Sequence, residues 1–71
     1  MFTLAPQQAE VRRGIRSLGP VTRAELANAL SIRIPSICAR VNELLEMGAV
    51  RENIRTRECR VTGYTAHALR A

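Results

Sequence analysis

The chemistry that this sequence offers most plainly is that of the guanidinium group. All eleven basic residues among its 71 are arginines, and together with six acidic residues they give a formal net charge of +5. A guanidinium donates several hydrogen bonds in a fixed plane that matches phosphate oxygens and base edges. The composition therefore favours a polyanionic partner, although a basic surface without any partner would show the same net charge.

The other reactive side chains are few, and their spacing does not indicate catalysis or metal binding. No nucleophile stands with a base in a recognisable pattern and no glycine-rich loop could hold a phosphate, so we do not expect an enzyme. Cys38 and Cys59 form no CxxC pair and His67 stands alone, so we expect no metal and no other cofactor. The two thiols are either reduced and partly buried, which we favour, or joined in a disulfide.

Length and composition predict one small domain over residues 1–71. Hydrophobic residues make up 46% of the chain, which is typical of a folded protein, and only 3% are aromatic, so the core must be aliphatic. The sequence has no signal peptide and no apolar run of about 18 residues. We therefore expect a cytoplasmic protein with no membrane role.

Hydrophobic spacing predicts two helices in the first half of the chain. The first is expected over Leu4–Leu18, with Thr3 as its cap. The second is expected over Thr22–Leu30, because Thr22 and Glu25 have the spacing of a capping box. Val21, between them, suits a very short strand.

A third helix is expected to begin near Ile34, with Pro35 in its first turn, and to end at Gly48. Its apolar residues recur at helical spacing and should face the core; they are Ile37, Cys38, Val41, Leu44 and Leu45. The stripe predicted to face away from the core consists of Ser36, Ala39, Arg40 and Glu43.

The helical period disappears after Gly48 and is replaced by segments typical of strands. Strands are expected at Ala49–Asn53, Glu58–Thr62 and Thr65–Leu69, with the charged segment Ile54–Arg57 as a loop. No Asn-Gly or Asp-Gly pair defines a two-residue turn, so the sequence leaves the register of the hairpin open.

Three helices followed by a basic hairpin resemble the winged helix-turn-helix proteins of bacteria and phages. The likeness is carried by residues 22–27 (TRAELA), 40–50 (RVNELLEMGAV) and 59–63 (CRVTG), and it covers most of the chain from Val21 to Leu69. It implies an α+β winged helix-turn-helix fold, with three helices and a C-terminal β-hairpin as the wing. The third helix of such a fold can lie in the DNA major groove.

On this interpretation the predicted outward stripe of the third helix contacts DNA. Arg40 can donate two hydrogen bonds to O6 and N7 of a guanine, and Ala39 can touch a thymine methyl group. Glu43 either accepts from a cytosine amino group or holds Arg40 in place. Arg33 and Ser36, at the start of the helix, suit phosphate oxygens.

The predicted wing carries four arginines for the DNA backbone or a narrow minor groove: Arg51, Arg55, Arg57 and Arg60. Alternatively, these arginines pair with Glu52 and Glu58 across the hairpin. We expect Arg55 and Arg57 to contact DNA, because the tip of a hairpin has few intramolecular partners.

The sequence thus predicts a sequence-specific double-stranded DNA-binding protein, with transcription regulation in a bacterium or phage as its role. A single domain of this size makes few contacts, so tight binding calls for a homodimer or repeated sites. Two alternatives remain open. One is a winged helix that binds a protein partner, such as a phage inhibitor of a host protein. The other is an architectural, excision or replication accessory factor that binds DNA.

Overall fold

The computed structural model describes residues 3–71 and has an α+β arrangement of three helices followed by an antiparallel hairpin. The helices are α1 (Pro6–Leu18), α2 (Arg23–Leu30) and α3 (Ile34–Met47), and the strands are β1 (Arg51–Glu58) and β2 (Thr65–Arg70). The predicted order of helices and the C-terminal position of the hairpin are confirmed. Within residues 3–71, no helix is long and apolar enough to cross a membrane.

Helix α1 begins two residues later than predicted, and Thr3 is not its cap. The N-cap is Ala5, whose backbone N–H donates to Oε1 of Gln8 at 2.9 Å. The difference arises at Pro6, because the residue before a proline is held in an extended conformation and a proline fits the first helical position. Ala5 accordingly has a ψ of 157°.

Close packing of α1 against α2 depends on Gly14, which is buried. A Cβ atom at this position would lie 2.9 Å from Cδ1 of Leu26 and 3.0 Å from Cδ1 of Leu30. Glycine lowers helix propensity by about 1 kcal/mol relative to alanine. The structure shows what the glycine provides, which is room for two leucines of α2 against the backbone of α1.

The capping box of α2 is confirmed. The backbone N–H of Glu25 donates to Oγ1 of Thr22, and the backbone N–H of Thr22 donates to Oε1 of Glu25, both at 3.2 Å. Helix α3 has Pro35 in its first turn and ends at Gly48, whose φ of 76° lies in the left-handed region that favours glycine. Both ends of α3 thus agree with the sequence prediction.

The hairpin differs from its prediction. Strand β1 continues through the segment expected to be a loop, and the segment expected to be the strand Glu58–Thr62 is mostly turn. The turn is closed by two backbone bonds of 2.8 Å, from the N–H of Cys59 to the carbonyl of Tyr64 and from the N–H of Gly63 to the carbonyl of Cys59. Gly63 supplies a φ of 78° there.

The strand register contains a bulge. Arg51 lies opposite Arg70 and Glu52 opposite Leu69, and pairing resumes with Thr56 opposite His67. Residues 53–55 of β1 therefore face a single residue of β2, and such an insertion bends a strand. Nδ1 of His67 lies 2.7 Å from the carbonyl oxygen of Asn53 and ties the bulge to β2.

The hairpin joins the helices through the predicted short strand at Val21. Val21 and Leu69 exchange two backbone hydrogen bonds, of 3.0 and 2.7 Å, so β2 lies between Val21 and β1. The core between the sheet and the helices is aliphatic, as the composition predicts. Its members are Val11, Ile15, Val21, Leu26, Ala27, Ile37, Val41, Leu44, Ala49, Val50 and Leu69.

Candidate nucleic-acid interface

The side of α3 that faces solvent coincides only in part with the side predicted from the sequence. Its fully buried residues are Ile37, Val41 and Leu44. At 100° per residue the opposite side carries Pro35, Asn42 and Glu46, which are exposed, and Ala39, which is half-buried. The four residues predicted to face outward are all half-buried; they are Ser36, Ala39, Arg40 and Glu43.

The prediction is wrong by a partial rotation of the helix. It includes Cys38 and Leu45 in the buried stripe, whereas both are only half-buried. The buried side is therefore shifted toward Leu44, and the start of α1 lies along the flank that carries Arg40. Of the predicted stripe, Ala39 lies most directly on the side opposite the buried residues.

Arg40 and Glu43 form a network between α3 and α1. The guanidinium of Arg40 donates to the two carboxylate oxygens of Glu43, at 2.7 and 3.0 Å, and to Oε1 of Gln7 at 2.9 Å. Gln8 donates to the same carboxylate at 2.9 Å. The bonds from Arg40, followed by that from Gln8, lower the pKa of Glu43 to about 2, and Glu43 raises the pKa of Arg40. Of the two roles predicted for Glu43, holding Arg40 in place is the one seen here.

The start of α3 leaves a cation at the surface. Arg33 is the N-cap residue of the helix and is exposed, and its side chain forms no capping hydrogen bond. Ser36, three residues later, is half-buried. Of these two predicted phosphate ligands, Arg33 is the better presented to solvent.

Arg57 occupies a different position from the one predicted. It lies in β1, and its guanidinium binds Oε2 and Oε1 of Glu25 at 2.8 and 2.6 Å. It also donates to the carbonyl oxygens of Pro20 at 3.0 Å and Glu58 at 2.9 Å. The expectation that Arg57 has few intramolecular partners is therefore wrong, because the supposed loop is a strand that passes beside the start of α2.

Glu25 accepts most of the hydrogen bonds that attach β1 and the hairpin turn to the start of α2. In addition to the Arg57 guanidinium, its carboxylate accepts the backbone N–H of Arg60 at 2.8 Å and that of Thr22 at 3.2 Å. The bond from Arg57 is the main cause that lowers the pKa of Glu25 to about 2, and the same pair raises the pKa of Arg57. One carboxylate thus completes the cap of α2 and fixes both β1 and the hairpin turn.

Cys59 adds a second link between the turn and the cap. Its sulfur is buried and lies 3.0 Å from Oγ1 of Thr22. Hydrogen bonds from Thr22 and then Thr62 lower the pKa of this thiol to about 7. Cys38 and Cys59 are both free thiols, as favoured from the sequence. Among the described residues, no three side chains of His, Cys, Asp or Glu come together as a metal site would require.

The predicted pairing of hairpin arginines with Glu52 and Glu58 is not observed in the described chain. Glu52 instead binds Arg23 of α2 at 2.9 Å. Among the described residues, three ion pairs use three arginines and three glutamates, and Arg12 has bonds of its own. In residues 3–71 this leaves seven arginines whose side chains have no hydrogen-bond or ion-pair partner: Arg13, Arg16, Arg33, Arg51, Arg55, Arg60 and Arg70.

Only three glutamates in the described chain are similarly unpaired, and all are exposed: Glu10, Glu46 and Glu58. The unpaired arginines include three of the four predicted hairpin ligands, which are Arg51, Arg55 and Arg60. They also include Arg70, which the sequence did not single out because nothing in the local pattern showed that it lies opposite Arg51.

Comparison of the chain with known protein families and with curated proteins gives no match.

Proposed function

We propose that this protein is a winged helix-turn-helix protein that binds double-stranded DNA with sequence preference and acts in transcription regulation. The observation that carries the proposal is the set of seven unpaired arginines, against three unpaired glutamates, in the described chain. Positive charge that the fold itself does not neutralise favours a polyanion. Phosphate contacts supply much of the affinity of such proteins for DNA.

The order of the elements supports duplex DNA as that polyanion. Helices α2 and α3 are joined by residues 31–33 in the manner of a helix-turn-helix, and a hairpin follows α3. The exposed side of α3 is free to enter a major groove, with Arg33 at its leading end to contact phosphate.

Base contacts would come from the middle of α3. Asn42 is exposed, and an asparagine can form two hydrogen bonds with the N6 and N7 of an adenine. Ala39 can contact a thymine methyl group beside it. Arg40, which the fold holds at the flank of this surface, can add a contact at its edge.

Selection from a randomised pool of duplexes tests this proposal. Wild-type protein is incubated with the pool at about 50 mM salt, where phosphate contacts are strong, and bound duplexes are sequenced over successive rounds. We expect enrichment of a short motif. Retention of DNA without any motif would indicate an architectural or accessory factor, and failure to retain duplex at all would refute DNA binding.

One observation favours a second candidate function, the binding of a protein partner. The centre of the exposed side of α3 carries no positive charge, since it consists of Pro35, Ala39, Asn42 and Glu46. The hairpin also exposes two large apolar side chains, Ile54 at 94% and Tyr64 at 79%. A regulator that acts on another protein could use such surfaces, and it would fail to retain duplex in the selection described above.

A further inference from the structure

Two arginines that have no neutralising partner within residues 3–71 face each other at the open end of the hairpin. Arg51 and Arg70 are directly opposite in the register, so their side chains leave the sheet on the same side. Like charges directly opposite each other destabilise a sheet. The nearest carboxylate in sequence, Glu52, is bound to Arg23. The fold thus carries an electrostatic cost here that an anion would remove.

These two arginines border a cleft of about 500 Å³. The bulge at residues 53–55 forms one wall and brings Arg55 to the same space. Pro20, Ala68 and Glu52 also line the cleft, and the carboxylate of Glu52 is neutralised by Arg23. Arg57 lies at the cleft as well, with its guanidinium bound to Glu25 and to the carbonyl of Pro20.

The cleft is supported by contacts that do not involve its unpaired arginines. His67 contacts the carbonyl of Asn53 and holds the bulge against β2. Arg57 holds β1 against Pro20. These contacts therefore hold the backbone that carries Arg51, Arg55 and Arg70. Within the described chain, the guanidinium groups of the three arginines have no hydrogen-bond or ion-pair partner.

We propose that this cleft binds a phosphate group between the guanidiniums of Arg51 and Arg70, with Arg55 as a third ligand. Several arginines around one concave site suit the oxygens of a phosphate, which accept hydrogen bonds in pairs. On the proposed function, on which this step rests, the phosphate is a phosphodiester of the bound duplex. This contact lies at the base of the hairpin and not at its turn. A free phosphorylated small molecule would present the same chemistry.

A matched pair of double variants tests the cleft. Arg51→Gln/Arg70→Gln removes two unpaired charges at the cleft, and Arg13→Gln/Arg16→Gln removes two unpaired, exposed charges on α1. Duplex affinity is measured by fluorescence anisotropy over a series of salt concentrations, after circular dichroism shows that both variants are folded. We expect the cleft variant to bind roughly tenfold more weakly than the α1 variant. A plot of the logarithm of its association constant against the logarithm of the salt concentration should be shallower than that of the wild type. The slopes should differ by about 0.9 for each phosphate that the variant no longer neutralises.

The two sources of phosphate are separated by NMR of the arginine Nε–Hε groups. Duplex DNA is added in one titration, and inorganic pyrophosphate in another. With duplex, larger shifts at Arg51, Arg55 and Arg70 than at Arg13 and Arg16 support the cleft; with pyrophosphate, shifts confined to the three cleft arginines do so. The ligand that saturates at lower concentration identifies the source. Equal reductions of affinity in the two double variants, or no shift at these arginines with either ligand, would overturn the inference.

The same measurements distinguish failure of the cleft from failure of the proposed function. If wild-type protein binds duplex and the two double variants lose affinity equally, the proposal of DNA binding stands and the proposal of a phosphate site in the cleft is refuted. If wild-type protein binds no duplex but the NMR signals of its cleft arginines shift with pyrophosphate, DNA binding is refuted. The cleft is then supported as a site for a free phosphorylated ligand.

Discussion

The guanidinium of Arg57 binds both carboxylate oxygens of Glu25, at 2.8 and 2.6 Å, and attaches strand β1 to the start of α2. The same carboxylate closes the capping box with Thr22 and accepts the backbone N–H of Arg60. A single acidic side chain therefore links the second helix, the strand and the hairpin turn. This arrangement makes Arg57 a structural residue, whereas Arg55, two positions earlier, is exposed and unpaired in the described chain.

We expect Arg57→Gln to destabilise the protein. Loss of paired, charge-assisted hydrogen bonds should lower the free energy of unfolding by about 1–2 kcal/mol, which for a domain of this size lowers the melting temperature by roughly 5–15 °C. Arg55→Gln, which removes the same charge from the same strand, is the control and should melt like the wild type. Identical melting curves for the two variants would show that the Arg57–Glu25 pair contributes no stability.

Stability should fall at acidic pH because Glu25 is held ionised. Its pKa of about 2 in the folded protein lies below the ordinary 4.5. The resulting stabilisation is fully present above about pH 4.5 and is lost as the pH falls toward 2. Urea unfolding at pH 6 and pH 3 measures the loss, which should be smaller in Glu25→Gln. Part of it should remain in that variant, because the pKa of Glu43 is lowered in the same direction. An equal loss in variant and wild type would contradict this role of Glu25.

The helices could be predicted from sequence because the signals that define them are local. The Thr22–Glu25 capping box, Pro35 and Gly48 each act within a few residues of the helix end that they define. The start of α1 lies two residues after the predicted one, since Pro6 and not Thr3 sets it. The aliphatic core followed from composition and helical spacing.

The hairpin and the surface of α3 could not be predicted in the same way, because contacts distant in sequence determine them. Arg57 meets Glu25 across 32 residues, and this contact lies in a strand that the charged sequence suggested was a loop. Arg40 meets Gln7 across 33 residues. No periodicity within α3 shows that α1 covers that flank, so the spacing of apolar residues alone predicts an outward side that is rotated from the observed one.

Arg70→Glu should separate stability from DNA binding. The new carboxylate would lie opposite Arg51, and replacing a like-charge cross-strand pair by an opposite-charge pair should raise stability by roughly 0.2–1 kcal/mol. Duplex affinity should fall, because a phosphate ligand becomes a repelling charge. Arg16→Glu, with the same change in charge on α1, is the control. If the two variants are alike in both unfolding and anisotropy measurements, the Arg51–Arg70 relationship has no special role.

The exposed side of α3 predicts that Asn42 determines base preference. Asn42→Ala should reduce the difference in affinity between a selected duplex and a scrambled one by about 1–3 kcal/mol, which is typical of one good base contact. Arg40→Ala should instead lower the melting temperature, because it removes the bonds to Glu43 and Gln7. Competition anisotropy and thermal melts measure the two effects. A loss of preference in Arg40→Ala alone would return base reading to the stripe predicted from the sequence.

The most direct test of the central claim, that unpaired arginines bind the DNA backbone, is the salt dependence of wild-type affinity for a selected duplex. Association constants measured by anisotropy from about 50 to 200 mM salt should fall linearly on a log–log plot. The slope should lie between about −3 and −4.5, the upper magnitude corresponding to about five phosphate contacts, made by the unpaired arginines outside α1. A slope near zero, or no binding at about 50 mM salt, would contradict the claim.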